Sequence, residues 1–180
     1  MSVLSTLPAG TFAIDGSHSR VGFSARHAMV TKVRGSFNDY TGSAVVADGA
    51  ASITIEINVA SIDTRSADRD GHLQSPDFFD VANFPKITFK STSVKDAGDA
   101  NLSVTGDLTI KDVTKSITID FEYTGTATDP FGNARFGFEG ESEINRKDYG
   151  LTWNAALETG GILVSENIKL EFEISTILAK

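Results

Sequence analysis

Between Ser52 and Val59 the chain alternates without a fault, with Ile53, Ile55, Ile57 and Val59 on one parity and Ser52, Thr54, Glu56 and Asn58 on the other. Successive side chains of a strand point to opposite faces, so this segment has one apolar face and one wetted face. The same rhythm closes the sequence at Ile168, Leu170, Phe172 and Ile174. It recurs in between: at Ile87 and Phe89, at Leu102, Val104, Leu108 and Ile110, at Ile117, Ile119, Phe121 and Tyr123, and around Phe136 and Phe138. Thr11 to Asp15 and Tyr40 to Ala47 read as further strands. Asp48-Gly49, Asp96 to Asp99 and Lys111-Asp112 supply turns, and Gly106 a bulge or bend. About eight main strands on short connections predict an all-β fold, an antiparallel barrel or sandwich. The domain is read as residues 11–180, preceded by an arm, residues 1–10, that ends at Pro8 and Gly10.

The stretch from Asp15 to Tyr40 organises the rest. It opens on a turn, Asp15-Gly16-Ser17, and then predicts a long strand with Val21, Phe23, Ala25 and Met29 on one apolar face. His27 falls on that same parity, a polar group in an apolar row. Thr31 to Gly35 reads as a tight, basic connection.

Ser61 to Pro85 has no period of two. Asp63 or Ser66 is positioned to cap one short helix, and Ser75-Pro76 to start a second at Asp77-Phe78-Phe79. A connection of this length inside a compact domain is often a lid or a functional element.

Composition narrows the function. The chain has 180 residues, a formal net charge of -8 and no cysteine. The acidic balance argues against nucleic acid, and against an anionic membrane surface as a constitutive partner. Disulfides, thiolate nucleophiles and cysteine-based metal sites are excluded. His18 and His27 lie on opposite strand parities, so the histidines lack metal spacing, and neither a metal nor a cofactor is expected. The segment MSVLSTLPAG has no basic region followed by a long apolar run, and no later run reaches about 18 apolar residues. The expectation is a cytoplasmic protein without stable membrane insertion.

An ordered set of segments carries a resemblance. Asp15-x-x-His18-Ser19-x-Val21-x-Phe23 is followed by His27-x-Met29-Val30-x-x-Val33-x-Gly35-x-Phe37 and Ser61-Ile62-Asp63-Thr64. Then come Arg69-Asp70-x-His72-Leu73, Asp77-Phe78-Phe79-Asp80, Phe84-Pro85, Gly106 to Ile110, Val113-Thr114-Lys115 and Ile144 to Gly150. Over nearly the whole chain this resembles the YceI-like family of lipocalin-like, polyisoprenoid-binding β-barrels. The resemblance implies an eight-stranded, lipocalin-like antiparallel barrel with one short helical excursion and a hydrophobic tunnel. It also implies a homodimer with a binding role. The expected partner is a long-chain amphiphile: a polyisoprenoid, an isoprenoid quinone or a fatty-acyl derivative.

Candidate ligand-binding residues follow, each with an alternative. His27 meets a lipid head group inside the barrel, or is a core histidine satisfied by a neighbour. Arg69, Asp70 and His72 border the tunnel mouth, or Arg69 and Asp70 form an ion pair that pins the helix. Phe23, Phe37, Phe78, Phe79, Phe89, Phe121, Phe136 and Phe138, with Phe84 and Phe172, line a tunnel or fill an ordinary core. Arg146-Lys147-Asp148 reads as a solvated turn or a head-group contact. No Gly-x-Ser-x-Gly, phosphate-binding glycine loop or His-Glu-x-x-His is present, and the resemblance implies a binding rather than a catalytic role, a non-enzyme. Its rivals are a lipid-modifying enzyme using His27 or His72, and a solidly packed barrel with a structural or interaction role.

Overall fold

The structure, a computed structural model, describes residues 2–180. Its strands are β1 (Gly10–Ile14), β2 (Arg20–His27), β3 (Thr31–Phe37), β4 (Tyr40–Ala47), β5 (Ala50–Asn58), β6 (Ile62–Asp63), β7 (Lys86–Gly98), β8 (Asn101–Ile110), β9 (Val113–Thr128), β10 (Ala134–Asn145) and β11 (Asn167–Leu178). Two helices, α1 (Val3–Thr6) and α2 (Ala67–Gln74), complete the regular elements. Every pairing is antiparallel. The ring runs β1-β4-β5-β7-β8-β9-β10-β11, and β11 pairs back onto β1, closing an eight-stranded barrel.

The remaining strands prolong this ring at one end. β11 pairs with β1 at Thr176–Leu178 and with β2 at Lys169–Glu173. β1 and β2 are therefore two lengths of one path, broken at the 3-10 turn Gly16–His18. Asp15 caps that turn, accepting from the Ser17 N–H at 3.0 Å. β3 and β4 form a second broken path, facing β2 and β1 respectively.

Alternation orients the walls. Along β8, Leu102, Val104, Gly106, Leu108 and Ile110 are buried, while Ser103, Thr105, Asp107 and Thr109 between them face outward. The 16 residues of β9 span roughly 50 Å at about 3.3 Å each, so the barrel is elongated. Glycines opposite inward aromatics make room for the rings. A methyl group on Gly106 would lie 2.5 Å from the Phe89 ring, and Gly35 stands in the same relation to Phe23.

The sequence expectations need four corrections in this frame. The strand through His27 stops there: Ala28 to Val30 are the turn, and Thr31 to Gly35 belong to β3. The N-terminal arm, as far as it lies within the described residues, is not a free appendage. Ser2 caps α1, Asp96 of β7 accepts from the Leu4 N–H at 3.1 Å, and Val3 and Leu4 pack with Leu102 inside the barrel end. Ser66, and not Asp63, caps α2, while Asp63 accepts from the Arg65 N–H at 2.9 Å. The second helix does not form, because Asp80 takes a φ of 50°, which a right-handed helix cannot continue through. Ser75 to Phe84 instead make consecutive turns.

Candidate ligand-binding tunnel

Two cavities lie end to end on the barrel axis, of about 170 and 100 Å3. The larger is at the α2 end. Val21, Phe23 and Ala25 of β2 and Phe37 of β3 form one wall, Phe89, Leu108 and Ile110 another. Leu73, Phe78 and Phe79 cover it from the helical excursion. The smaller lies toward the α1 end, under Leu4 and Leu7, and its wall includes Phe12, Val104, Phe121 and Phe138. Ile55, Phe89, Ile119 and Phe172 line both cavities, so these four side chains form a waist. The Phe121 and Phe172 rings are 5.8 Å apart. Almost every wall atom is carbon.

Arg146 is the one charged residue in the wall of the larger cavity. Contrary to the solvated turn expected, it is only 5% exposed. Its guanidinium turns away from the cavity and donates to the carbonyls of Ser165, Leu151, Trp153 and Val164 at 2.6 to 3.2 Å. It thus ties the aperiodic segment 151–165 to the barrel, presenting its aliphatic stem to the tunnel. Burial lowers its pKa, and the charge of Glu166 opposes that shift. Tyr149 is also buried in this wall, and burial raises its pKa. Tyr40, packed against the same core, has a buried hydroxyl with no hydrogen-bond partner among the described residues, and burial raises its pKa as well.

The other candidates divide by position. Phe23, Phe37, Phe78, Phe79 and Phe89 stand in the wall of the larger cavity, and Phe121 and Phe138 in that of the smaller. Phe136 packs edge-on to Phe12, ring centres 5.1 Å apart, behind the wall. Phe84 lies outside, under the Lys111 ammonium. His27 is exposed at the end of β2 and does not join the apolar row. The row of Val21, Phe23 and Ala25 lines the cavity, but the strand has left the barrel by residue 27.

Arg69 and Asp70 do not pair with each other; both grip Thr64. Arg69 Nε and Nη2 donate to Thr64 Oγ1 and O at 2.7 and 2.6 Å, and Asp70 accepts from the Thr64 N–H and hydroxyl at 2.8 and 2.6 Å. The helix is pinned, through a buried threonine that sequence reasoning missed. His72 lies over the tunnel without lining it. Its Nε2 is 2.9 Å from Asp77 Oδ2, and its ring stands edge-on to Trp153 and Phe78 at 4.7 and 5.1 Å. The Asp15 turn is built as expected, with His18 Nδ1 2.7 Å from Asp15 Oδ2.

A closed antiparallel barrel around a divided apolar tunnel, lidded by a short helix, defines a lipocalin-like class of protein. The chain belongs to the YceI-like family: the YceI-like domain matches residues 12–176. It is 40% identical over 165 residues to a UPF0312 protein of Staphylococcus aureus strain MSSA476, covering 89% of this chain and 93% of that one. A UPF0312 protein of Shewanella denitrificans is 38% identical over 176 residues, covering 94% and 88%. Among solved structures, a YceI protein of Campylobacter jejuni superposes with a TM-score of 0.74 at 28% identity, over 86% of this chain and 90% of that one. BcnA of Burkholderia cenocepacia (TM-score 0.78, 22% identity, 90% and 98% covered) shares the fold. So does a polyisoprenoid binding domain from Saccharophagus degradans (0.72, 15%, 96% and 100%).

Proposed function

We propose that this protein is a non-catalytic binder or carrier of a long-chain amphiphilic lipid, an isoprenoid, isoprenoid quinone or fatty-acyl derivative, and that it works as a homodimer. The observation that carries the reading is the tunnel wall, apolar at both cavities with the one guanidinium turned outward. Such a wall offers nothing to a polar solute. Each CH₂ that leaves water for it contributes about 0.8 kcal/mol before ordering costs. The fold shared with the Saccharophagus polyisoprenoid binding domain supports the same reading.

Two cavities of about 170 and 100 Å3 are small for such a chain, since an engineered void of about 150 Å3 holds a benzene-sized guest. The bound state therefore requires side chains at the waist to turn aside and join the cavities. With almost no polar surface turned toward the tunnel among the described residues, the head group stays at the mouth, and selectivity falls on chain length and width more than on head-group chemistry.

Native mass spectrometry of the purified protein tests this, followed by organic extraction. The expected result is one lipid per chain, with the intact mass reading the dimer. A lipid-free protein whose melting temperature is indifferent to polyprenyl and fatty-acyl probes would rule the reading out. The His72–Asp77 pair over the mouth gives the enzyme rival its footing. Turnover of an added lipid, lost in His72→Gln with binding kept, would favour that rival.

A further inference from the structure

The turn joining β2 to β3 is built from residues that folding alone does not favour. Ala28 and Met29 hold φ of 51° and 63°, and the Val30 N–H donates to the His27 carbonyl at 3.1 Å. Positive φ at both central positions marks a type I′ hairpin, where Asn-Gly is the comfortable choice. Here the left-handed positions carry Cβ atoms. Met29 is 63% exposed and Val30 77% exposed, so the strain is not offset by burial. The tip is nevertheless anchored: the Ala28 N–H donates to the Leu163 carbonyl at 2.7 Å, and Met29 lies against Gly161.

Its surroundings differ from the rest of the chain. The protein carries a net charge of -8, yet between Asp15 and Asp39 there is no carboxylate, and Arg20, Arg26, Lys32 and Arg34 fall in that stretch. Arg20 meets Glu171, but among the described residues Arg26, Lys32 and Arg34 make no salt bridge. On the paired strands Arg26 faces Lys32, and Ser24 faces Arg34, so the cations form a stripe running back from the apolar tip; Glu141, close enough to feel the Lys32 charge, and Glu171 and Glu173 border it on the barrel side, which leaves the tip end of the stripe the more basic. The tip also sits at the end of the tunnel covered by the polar helix α2, because Ala25 and Val164, beside it, line the larger cavity. The opposite end is sealed by α1. Its own exposed aromatic, Phe131, stands alone beside Asp129 and Arg135, which bond each other.

We propose that the Ala28–Val30 tip is a membrane-docking element that seats the tunnel mouth on an anionic lipid bilayer. Two apolar side chains at the apex enter the head-group region, and the cations behind them meet lipid phosphates. The apex is too small for a stable protein interface, which needs about 800 Å2 from each partner. The overall acidity that disfavours such a surface is a property of the rest of the barrel. The purpose of docking rests on the lipid-carrying reading, since a lipid could then pass from bilayer to tunnel without crossing water.

Flotation with phosphatidylcholine vesicles, with and without phosphatidylglycerol, tests the proposal. A soluble fluorescent fatty-acyl probe reports tunnel binding in parallel. The expected result is binding to the anionic vesicles that weakens at high salt. It falls about tenfold or more in Met29→Asp/Val30→Asp, and likewise in Lys32→Glu/Arg34→Glu, which leaves the turn untouched. Both variants keep the probe affinity of the parent. Failure of the parent to float, or flotation of either variant equal to that of the parent, overturns the docking element. If the protein takes the probe and ignores vesicles, docking falls and the carrier stands. If it floats through the tip and takes no probe, docking stands and the carrier falls.

Discussion

The two ends of the barrel are closed by different means. At one, α1 pushes Val3 (0% exposed) and Leu4 into the interior against Leu102, and Asp96 holds its N-terminal turn. Nearby, Arg135 bridges Asp15 and Asp129, each at 2.8 Å. At the other, no residue of α2 is buried, and the helix is held through Thr64, while segment 151–165 hangs on the guanidinium of Arg146. One end is a hydrophobic plug; the other is a lid whose helix buries no residue, while Leu73, Phe78 and Phe79 of the same excursion face the carbon-lined hole. Local opening is cheapest where few apolar contacts must be broken. The lid helix, which buries no residue, is therefore expected to open more readily than the plug, and the plug to set the floor of the tunnel.

The strongest way to break this comparison is to remove the lid's anchor. Arg146→Met keeps the stem and deletes the donors to four buried or half-buried carbonyls. Leaving buried polar groups without partners is what makes such changes severe, so a loss on the order of 3 to 5 kcal/mol is expected. Urea denaturation measures it. Amide exchange should accelerate first in 151–165 and leave α1 protected. Equal acceleration at both ends would mean that lid and plug unfold as one unit.

The waist is the next target, because it separates the cavity under the lid from the cavity over the plug. Phe172→Ala removes one of the four side chains common to both and leaves its partner Phe121 in place. A stability loss of about 2 to 3 kcal/mol is expected, below the usual range for a fully packed phenylalanine, since this ring already borders empty space. Joined cavities should favour longer chains: affinity rises for a long fatty-acyl probe and stays level for a short one. Titration of both probes into variant and parent checks this. An equal change for both would mean that the two cavities already act as one.

The barrel was legible because burial on one face writes itself into every second residue. The aromatics Phe23, Phe89 and Phe121 were placed on the inner face by parity alone. What parity does not carry is where a strand leaves the barrel. His27 and Met29 continue the apolar row of Val21 and Phe23 in sequence, but the chain turns at Ala28 and both side chains are exposed. Arg146 was illegible for another reason. Its partners are backbone carbonyls of an aperiodic loop, and backbone acceptors leave no mark on residue type. Thr64 escaped notice because a single hydroxyl between two charged neighbours looks like surface until the helix folds back over it. Four helical residues in α1 are too few for any period to show.

The plug end offers the smallest and most specific effect. Asp15 has its pKa lowered chiefly by the Arg135 guanidinium, with the Ser17 and His18 hydrogen bonds acting the same way. Asp129 is lowered too, first by the Asn133 backbone N–H and then by Arg135. A carboxyl held below its unfolded value of about 3.9 binds fewer protons folded than unfolded. Its stabilisation is complete above that value and drains away as the pH falls through the folded pKa. The parent melting temperature should therefore drop steeply below about pH 4. In Asp15→Asn the curve should start slightly lower at neutral pH and fall less steeply in acid, with the remaining slope left to the other lowered carboxyls, Asp129, Asp96, Glu141 and Glu166. The effect is small because both partners are partly exposed and water screens them. Melting curves across the acid range measure it, and the exchange rate of a bound acyl probe, taken at neutral pH, gives the second half of the test. If the plug end only sets the floor, Asp15→Asn leaves that rate unchanged; faster release would mean that the ligand also leaves through α1.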